Sequence, residues 1–331
     1  MPGPAFLTGP QPERAREVQQ GRGAANPALQ KEEVHMQKKH LQKKLRQNAL
    51  YVLFTGPAML LFFTFVICSV GLGIFYSLRD WNGIDPASNF VGLRNYVRVF
   101  SDPDFRASLW FTIRYTAITV VLVNVFALLL AVGLNARIPG RGLLRAAFFT
   151  PMVISSVTSG YLWNFIVVHL FPMLGKLTGI EGLQKDWMSY PPLAFAAIII
   201  VSVWQMTGYY MLIYLTGLQG VPQEIVEAAT IDGAGPVQTF FRVKLPMIRS
   251  SVTICLFLSL VGGFKSFDLN YSLTNGGPFG TTQSLSFQIY LDAFKRDAIS
   301  YASAKAVLFS ILIALVAGLQ VLLTRRKEVE L

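Results

Sequence analysis

The sequence predicts an all-α integral membrane protein, and its composition and six long apolar runs carry that prediction. Of the 331 residues, 53% are hydrophobic and only 14% are charged, and the mean hydropathy is +0.46. A typical soluble domain carries about 25% charged residues, so a lipid bilayer is the expected solvent for most of this chain.

Each of the six apolar runs is long enough to cross about 30 Å of hydrocarbon as a helix of roughly 20 residues. The runs lie at residues 51–78, 113–134, 146–171, 193–218, 252–273 and 302–323. Backbone groups find no water in lipid, and the runs lack the alternating pattern of barrel strands, so helices are expected. A six-helix transmembrane domain is therefore predicted over residues 50–324.

The basic residues predict the orientation of these helices. Most of the chain's 29 Lys and Arg residues lie before residue 49, at 137–145, at 242–249 and at 325–327. The positive-inside rule then places the N- and C-termini in the cytoplasm, together with the loop between the fourth and fifth runs. The net charge of +11 thus indicates topology and contact with membrane lipid, and no nucleic acid is expected as a partner.

Three terminal segments are predicted to lie outside the membrane domain. Residues 1–30 are rich in Gly, Pro, Gln and Ala without apolar periodicity, which is typical of a disordered cytoplasmic tail. Residues 31–48 are strongly basic and indicate a juxtamembrane helix on anionic headgroups. Residues 325–331 form a short cytoplasmic C-terminal tail.

A polar segment between the fourth and fifth runs, residues 222–246, is the most informative stretch of the chain. Pro222 suits the first turn of a helix, residues 223–231 contain no helix breaker, and Gly233 and Pro236 end the helix. A helix this short is not stable alone, so its small-residue face must pack on something. The sequence leaves two candidates for that surface: the chain's own membrane domain and a second protein.

This segment resembles the EAA loop in the membrane subunits of bacterial ABC importers. The resemblance rests on Glu227-Ala228-Ala229, Gly233 and Val243-Lys244-Leu245-Pro246 at the spacing of that loop. It implies a type I importer permease fold in which the loop, residues 219–249, docks on a cytoplasmic ATPase dimer. The implied coupling residues are Glu227, Ala228, Ala229, Asp232, Gly233, Leu245 and Pro246.

The same resemblance implies a transport subunit rather than an enzyme. The sequence has no G-x-x-x-x-G-K-[ST] segment, so no cofactor is expected in this chain, and ATP and Mg would be bound by the partner ATPase. Cys68 and Cys255 fall inside predicted spans, and the three His residues are scattered. No disulfide, metal site or catalytic residue is therefore expected.

Polar residues concentrate in the fourth and fifth runs, where they indicate either a cavity or hydrogen bonding between helices. From about residue 50 onward, and most densely from Trp204 to Phe294, the chain is similar to the carbohydrate-uptake, maltose-type branch of ABC permeases, and the similarity includes the segment 273–278, LTNGGP. That similarity implies a set of substrate-lining positions: Ser202, Gln205, Met206, Tyr209, Ser259, Gly262, Gly263 and Ser266.

The resemblance as a whole implies half of a sugar translocation path in the bacterial cytoplasmic (inner) membrane. A second homologous permease, the ATPase dimer and an extracytoplasmic solute-binding protein are the implied partners, with a sugar or oligosaccharide as substrate. Two alternatives stay open. The first is an acidic sugar or a glycerol-phosphate compound as the substrate, whose negative charge Lys265 would attract. Lys265 and Asp268, three residues apart on an expected helix, also leave room for an ion-gradient-driven secondary transporter.

Overall fold

The structure is a computed structural model that describes residues 50–325 apart from 86, 87 and 137, together with His35, Lys39 and Lys44. The predicted tails, residues 1–30 and 325–331, lie outside the described residues except for Arg325, which ends the last helix. The predicted juxtamembrane helix is described only at His35, Lys39 and Lys44, which are helical and exposed. The chain divides into two compact units, residues 1–70 and 71–331.

Helix α1, Leu50–Ser77, begins in the first unit and ends in the second. A π-helical turn, Phe63–Ile67, widens the helix near its middle. No side chain in the most apolar window of α1 is buried. A helix that exposes an apolar surface all round is suited to a surrounding of lipid rather than water.

The second unit contains one short hairpin and eleven further helices among its described residues. In the hairpin, β1 (Arg79–Asp80) pairs antiparallel with β2 (Asn89–Phe90). The helices are α2 (Arg94–Ser101), α3 (Pro103–Asn135), α4 (Arg141–Val153), α5 (Ser156–Thr178), α6 (Glu181–Gln184), α7 (Pro191–Gln219), α8 (Gln223–Ile231), α9 (Pro236–Met247), α10 (Arg249–Phe264), α11 (Leu285–Phe294) and α12 (Ile299–Arg325).

Helices α3, α7 and α10 form the centre of this unit. Ala127 and Ala131 of α3 pack with Met211 and Leu215 of α7 in one buried cluster. Small residues let the backbones of membrane helices approach closely, which increases van der Waals contact where no hydrophobic effect drives association. At the α3–α10 contact, a Cβ on Gly263 would lie only 2.8 Å from the Thr116 side chain, so glycine is required there.

The predicted class, an all-α membrane protein, is confirmed. By length and composition, five single helices in the described part of the chain can cross a membrane: α1, α3, α5, α7 and α12. The pair α9–α10, which bends by 72° at its break, brings the number to six when it is counted as one span.

The third predicted run, residues 146–171, is not one helix. Helix α4 ends at Val153, Ile154 and Ser155 have extended ψ angles of 132° and 138°, and α5 begins at Ser156. Pro151 has no amide hydrogen to donate within α4, which weakens the helix just before the break.

The fifth predicted run, residues 252–273, is also interrupted. Helix α10 ends at Phe264, and the amide of Ser266 donates to the Gly263 carbonyl in a tightened final turn. A separate π-helical turn, Asn270–Thr274, follows. Lys265 and Asp268 therefore do not share a helical turn, and the expectation of a helical pair is wrong.

Candidate functional site

Helix α8, Gln223–Ile231, has the bounds that the absence of helix breakers predicts. Pro222 precedes it as the N-cap residue rather than standing in its first turn. At its other end, the amide of Ala234 donates to the Ala229 carbonyl and that of Gly233 to the Thr230 carbonyl. This Schellman pair requires a left-handed residue, and Gly233 supplies it with φ +82°.

Most of α8 is exposed among the described residues, with only Val226 and Ala229 partly buried. No residue of the helix is buried, and the exposed fraction is 86% at Ile231, 71% at Val237 and 60% at Phe241 in the segment that follows. Exposed apolar side chains on a polar loop are typical of a surface that binds another protein. Within the described residues, α8 is therefore not buried against the membrane domain, which favours a second protein as the surface on which it packs.

The predicted coupling residues divide into an exposed set and an anchoring set. Glu227, Ala228, Asp232 and Gly233 are exposed and Ala229 is partly buried. Leu245 and Pro246, at the end of α9, are also partly buried. Leu245 packs against the central cluster, which includes Ile248, Leu218 of α7 and Ala131 of α3. The loop is thus open at α8 and fixed to the core at α9.

Four of the eight predicted lining residues are buried and already have partners in the chain. The Gln205 amide donates to the Ile154 carbonyl at 2.8 Å and to Ser159 Oγ at 3.2 Å. Ser202 Oγ lies 2.8 Å from Tyr115 Oη, and Ser259 Oγ accepts from Asn124 at 2.9 Å. Together with Gly263, these residues hold α7 and α10 against their neighbours.

The other four predicted lining residues remain accessible. Met206, Tyr209, Gly262 and Ser266 are each partly buried. A Cβ on Gly262 would lie 3.5 Å from the Met206 Cε atom, so α7 and α10 meet at this point. Tyr209 lies one turn further along α7. An aromatic ring, a thioether and a hydroxyl are therefore presented on the α7–α10 surface.

A buried ion cluster, Lys305 with Asp102 and Asp292, was missed by the sequence reasoning. Lys305 Nζ is fully buried and donates to both carboxylates at 2.6 Å. Arg296 also donates to Asp292 at 2.8 Å, and Tyr301 Oη donates to Asp102 at 2.7 Å. The sequence signal for this cluster is Lys305 itself, a charged residue within the apolar run 302–323, because charges inside spans usually have buried partners.

The Lys305 cluster joins three helices at one end of the spans. Asp102 caps the start of α3, Asp292 lies in α11 and Lys305 lies in α12. Burial raises the pKa of the Asp102 carboxyl, but hydrogen bonds from Lys305 and Tyr301 outweigh it and lower that pKa to about 2.

The described residues contain no group of three or more metal-ligating side chains in metal-binding proximity. Both thiols within the described part are free, with Cys68 exposed and Cys255 buried.

The family comparison covers the region that contains these features. A model of the family described as "binding-protein-dependent transport system inner membrane component" matches residues 123–329. This chain is a member of that family. The matched region includes α8, the accessible surface of α7 and α10, and the Lys305 end of α12. The resemblance to ABC importer permeases is therefore confirmed.

Curated relatives match this chain over most of its length. The chain is 37% identical to a "probable starch degradation products transport system permease protein" of Thermoanaerobacterium thermosulfurigenes, over 87% of this chain and 98% of that protein. It is 36% identical to a multiple sugar-binding transport system permease protein of Streptococcus mutans, over 78% and 89%. It is 35% identical to a trehalose/maltose transport system permease protein of Thermococcus litoralis, over 73% and 83%.

A solved structure agrees with the fold. A chain of a bacterial ABC transporter involved in the import of the acidic polysaccharide alginate superposes with a TM-score of 0.76 at 18% identity. The match covers 87% of this chain and 99% of that chain. The predicted ABC importer permease fold is thus confirmed, and the chain is a multi-pass membrane protein.

Proposed function

We propose that this chain is one membrane subunit of an ATP-driven importer for a sugar or oligosaccharide in the bacterial cytoplasmic membrane. The names of the starch-product, multiple-sugar and trehalose/maltose relatives support this substrate class. A second homologous permease, an ATPase dimer and an extracytoplasmic solute-binding protein would complete the transporter. ATP and Mg would be bound by the ATPase, and this chain would form half of the translocation path.

The exposure of α8 is the observation that carries this proposal. The helix ends at Gly233, presents Ile231 to solvent and buries none of its residues against the described part of the chain. A groove on the ATPase would bury this surface. The predicted contacts Glu227, Ala228 and Asp232 are exposed on the same segment.

A path for coupling leads from α8 to the core. Leu245 and Ile248 pack with Leu218 of α7 and Ala131 of α3, so a displacement of the loop moves residues in the packed centre of the unit. Closely packed interiors transmit such displacements because they contain few voids. The ATPase would thereby change the spacing of α7 and α10 where Met206 and Gly262 meet.

The accessible surface of α7 and α10 has chemistry that suits a sugar. The Tyr209 ring offers an apolar face for sugar C–H groups, and its hydroxyl and that of Ser266 offer polar contacts for the sugar rim. Ser202, Gln205, Ser259 and Gly263 would shape this surface indirectly, because their polar groups or close contacts are used between helices.

Substitution of Gly233 by Asp tests the coupling role. The new side chain has open space around it, so the change acts through the left-handed φ of +82° and through added charge on the docking surface. We expect loss of the ATPase from the purified transporter, or ATP hydrolysis without sugar uptake. Gly140→Asp is the matched control, because Gly140 has φ +74°, open surroundings and exposure, and lies outside the coupling loop.

Uptake that is unchanged by Gly233→Asp would contradict the assignment. Equal loss in the Gly140→Asp variant would also contradict it, since general backbone strain would then account for both results.

An acidic sugar is the second candidate substrate, and Lys265 is the observation that favours it. Lys265 follows the end of α10, is exposed, lies next to Ser266 and forms no ion pair with any described residue. A free cation beside the accessible surface would attract a carboxylate or sulfonate group.

The ion-driven carrier, by contrast, has lost its support, because Lys265 and Asp268 do not share a helix and the family is binding-protein-dependent.

A further inference from the structure

A cavity of about 310 Å³ lies where α5, the loop before α7 and the π-turn Asn270–Thr274 meet. Its lining includes Tyr161 and Asn164 of α5, Met188 of the loop, and Tyr271, Thr274 and Asn275 around the π-turn. The positive-inside orientation places these loops and helix ends on the extracytoplasmic side. The cavity is separate from the predicted coupling and lining residues.

The lining has the chemistry of a site for a neutral carbohydrate. Two rings, Tyr161 and Tyr271, are 56% and 37% exposed, and neither hydroxyl takes part in a hydrogen bond among the described residues. Asn164 donates its amide to the Leu273 carbonyl at 2.7 Å, which leaves its side-chain oxygen open. No charged residue lines the cavity. Aromatic faces beside a few polar groups are typical of small-ligand sites.

The walls of the cavity are held rigidly in place. A Cβ on Gly160 would lie 1.8 Å from Ser272 Oγ, so the glycine is what allows the π-turn to lie directly against α5. Thr274 Oγ1 donates to the Asn270 carbonyl at 3.0 Å and lies 2.8 Å from Thr282 Oγ1. A preformed site of this kind loses little entropy when it binds a ligand.

Two of the predicted lining residues are hydrogen-bonded to the elements that form the cavity. Gln205 bonds Ser159, which precedes Tyr161 on α5, and Ser266 donates to Asn270 of the π-turn at 2.7 Å. Tyr271 follows Ser266 on the span that runs outward, so the cavity lies on the outer side of the predicted lining. A sugar chain that enters from outside would therefore meet this cavity before it reaches the α7–α10 surface.

We infer that this cavity is an outer subsite that binds one neutral sugar unit of the incoming substrate. The Tyr161 and Tyr271 rings would stack on the sugar, and the amides of Asn164 and Asn275 would bond its hydroxyls. The inference rests on the proposed function, because it names a second contact for the same sugar. It also gives the Asn275 turn, with φ +48°, a role in substrate capture.

Uptake kinetics of the complete transporter in proteoliposomes test the subsite. Radiolabelled maltotriose, trehalose and raffinose are offered with the binding protein, and the sugar that wild type accumulates fastest is used for all variants. Tyr161→Ala removes a ring, and Asn275→Gly removes an amide while keeping the positive φ. Tyr190→Ala is the matched control, since Tyr190 is also 56% exposed on an outer loop and does not line the cavity.

We expect the KM of both subsite variants to rise by about three- to tenfold, the loss of a single contact, with kcat within about twofold of wild type. The control should keep the wild-type KM. Accumulation of a sugar by wild type with an unchanged KM in both subsite variants would overturn the subsite alone. An equal rise in Tyr190→Ala would also overturn it. Failure of wild type to accumulate any of these three neutral sugars would overturn the subsite together with the neutral-sugar form of the proposed function, and would leave the acidic sugar as the candidate substrate.

Discussion

Replacing Lys305 with Met removes a buried positive charge from between Asp102 and Asp292 while keeping most of the side-chain volume. Breaking a buried ion pair by removing one partner typically costs about 3–5 kcal/mol, because the remaining charge is left uncompensated. Here each carboxylate keeps one further donor, Tyr301 at 2.7 Å for Asp102 and Arg296 at 2.8 Å for Asp292. We therefore expect the free energy of unfolding to fall by an amount near the lower end of this range, about 3 kcal/mol.

A double-mutant cycle separates this charge effect from packing. Asp292→Asn in the Lys305→Met background removes one of the two carboxylates that lose Lys305 as a partner, so the double variant should be more stable than the sum of the single losses predicts, by about 1–3 kcal/mol. The assay is unfolding of the purified protein by sodium dodecyl sulfate in mixed micelles, followed by tryptophan fluorescence. Strictly additive losses, or a Lys305→Met variant as stable as wild type, would refute the reasoning.

The same cluster predicts a limited pH dependence. The pKa of Asp102 is lowered to about 2 in the folded chain, below the usual value of about 4. Its stabilising contribution is therefore complete above pH 4 and is lost as the pH falls toward 2. Titration of Asp102 should therefore not shift the unfolding midpoint between pH 5 and pH 7. The same detergent titration, repeated at several pH values, measures this midpoint.

Three further substitutions have definite expected results. Gly208→Ala places a Cβ 2.0 Å from the Phe148 carbonyl oxygen and should cost about 3 kcal/mol in the detergent titration, whereas Gly133→Ala, with open surroundings, should cost nothing measurable. Tyr209→Ala should weaken the stimulation of ATP hydrolysis by sugar-loaded binding protein, and an unaltered sugar dependence would remove Tyr209 from the path. Lys265→Gln should selectively lower competition by anionic sugars if the substrate is acidic, and equal competition by neutral and anionic sugars in wild type would exclude that substrate class.

Helix α8 was predictable because local chemistry decides its bounds. Pro222 and Gly233 mark its ends through backbone geometry, and both signals are visible in the sequence. Whether α8 packs inward or outward was not predictable from its pattern, because the alanine-rich face suits either surface. In the structure Ile231 is exposed, which favours packing outward on a second protein.

The spans were predictable in number and approximate position, but two breaks were not. An apolar run only shows that a segment tolerates lipid, and it does not require continuous helix. The interruption at Ile154 follows Pro151, and the end of α10 follows Gly262 and Gly263, so weak signals were present. Their effect depends on neighbouring helices, which a single sequence does not display.

The predicted lining residues show a similar limit. The position of each lining residue along α7 and α10 follows from the sequence. The hydrogen-bond partner of each polar group depends on tertiary packing. Gln205 and Ser259 face other helices, whereas Tyr209 stays accessible. The Lys305 cluster was overlooked for the same reason, because Asp102 and Lys305 are 203 residues apart in the chain.

Purification of the tagged chain in mild detergent, with identification of every associated protein and measurement of ATP hydrolysis, tests the central claim most directly. We predict recovery of a second six-span permease and a Walker-motif ATPase, with hydrolysis that sugar-loaded binding protein stimulates and that the Gly233→Asp variant loses or uncouples. A stable lone chain or homodimer without ATPase activity would contradict the importer assignment.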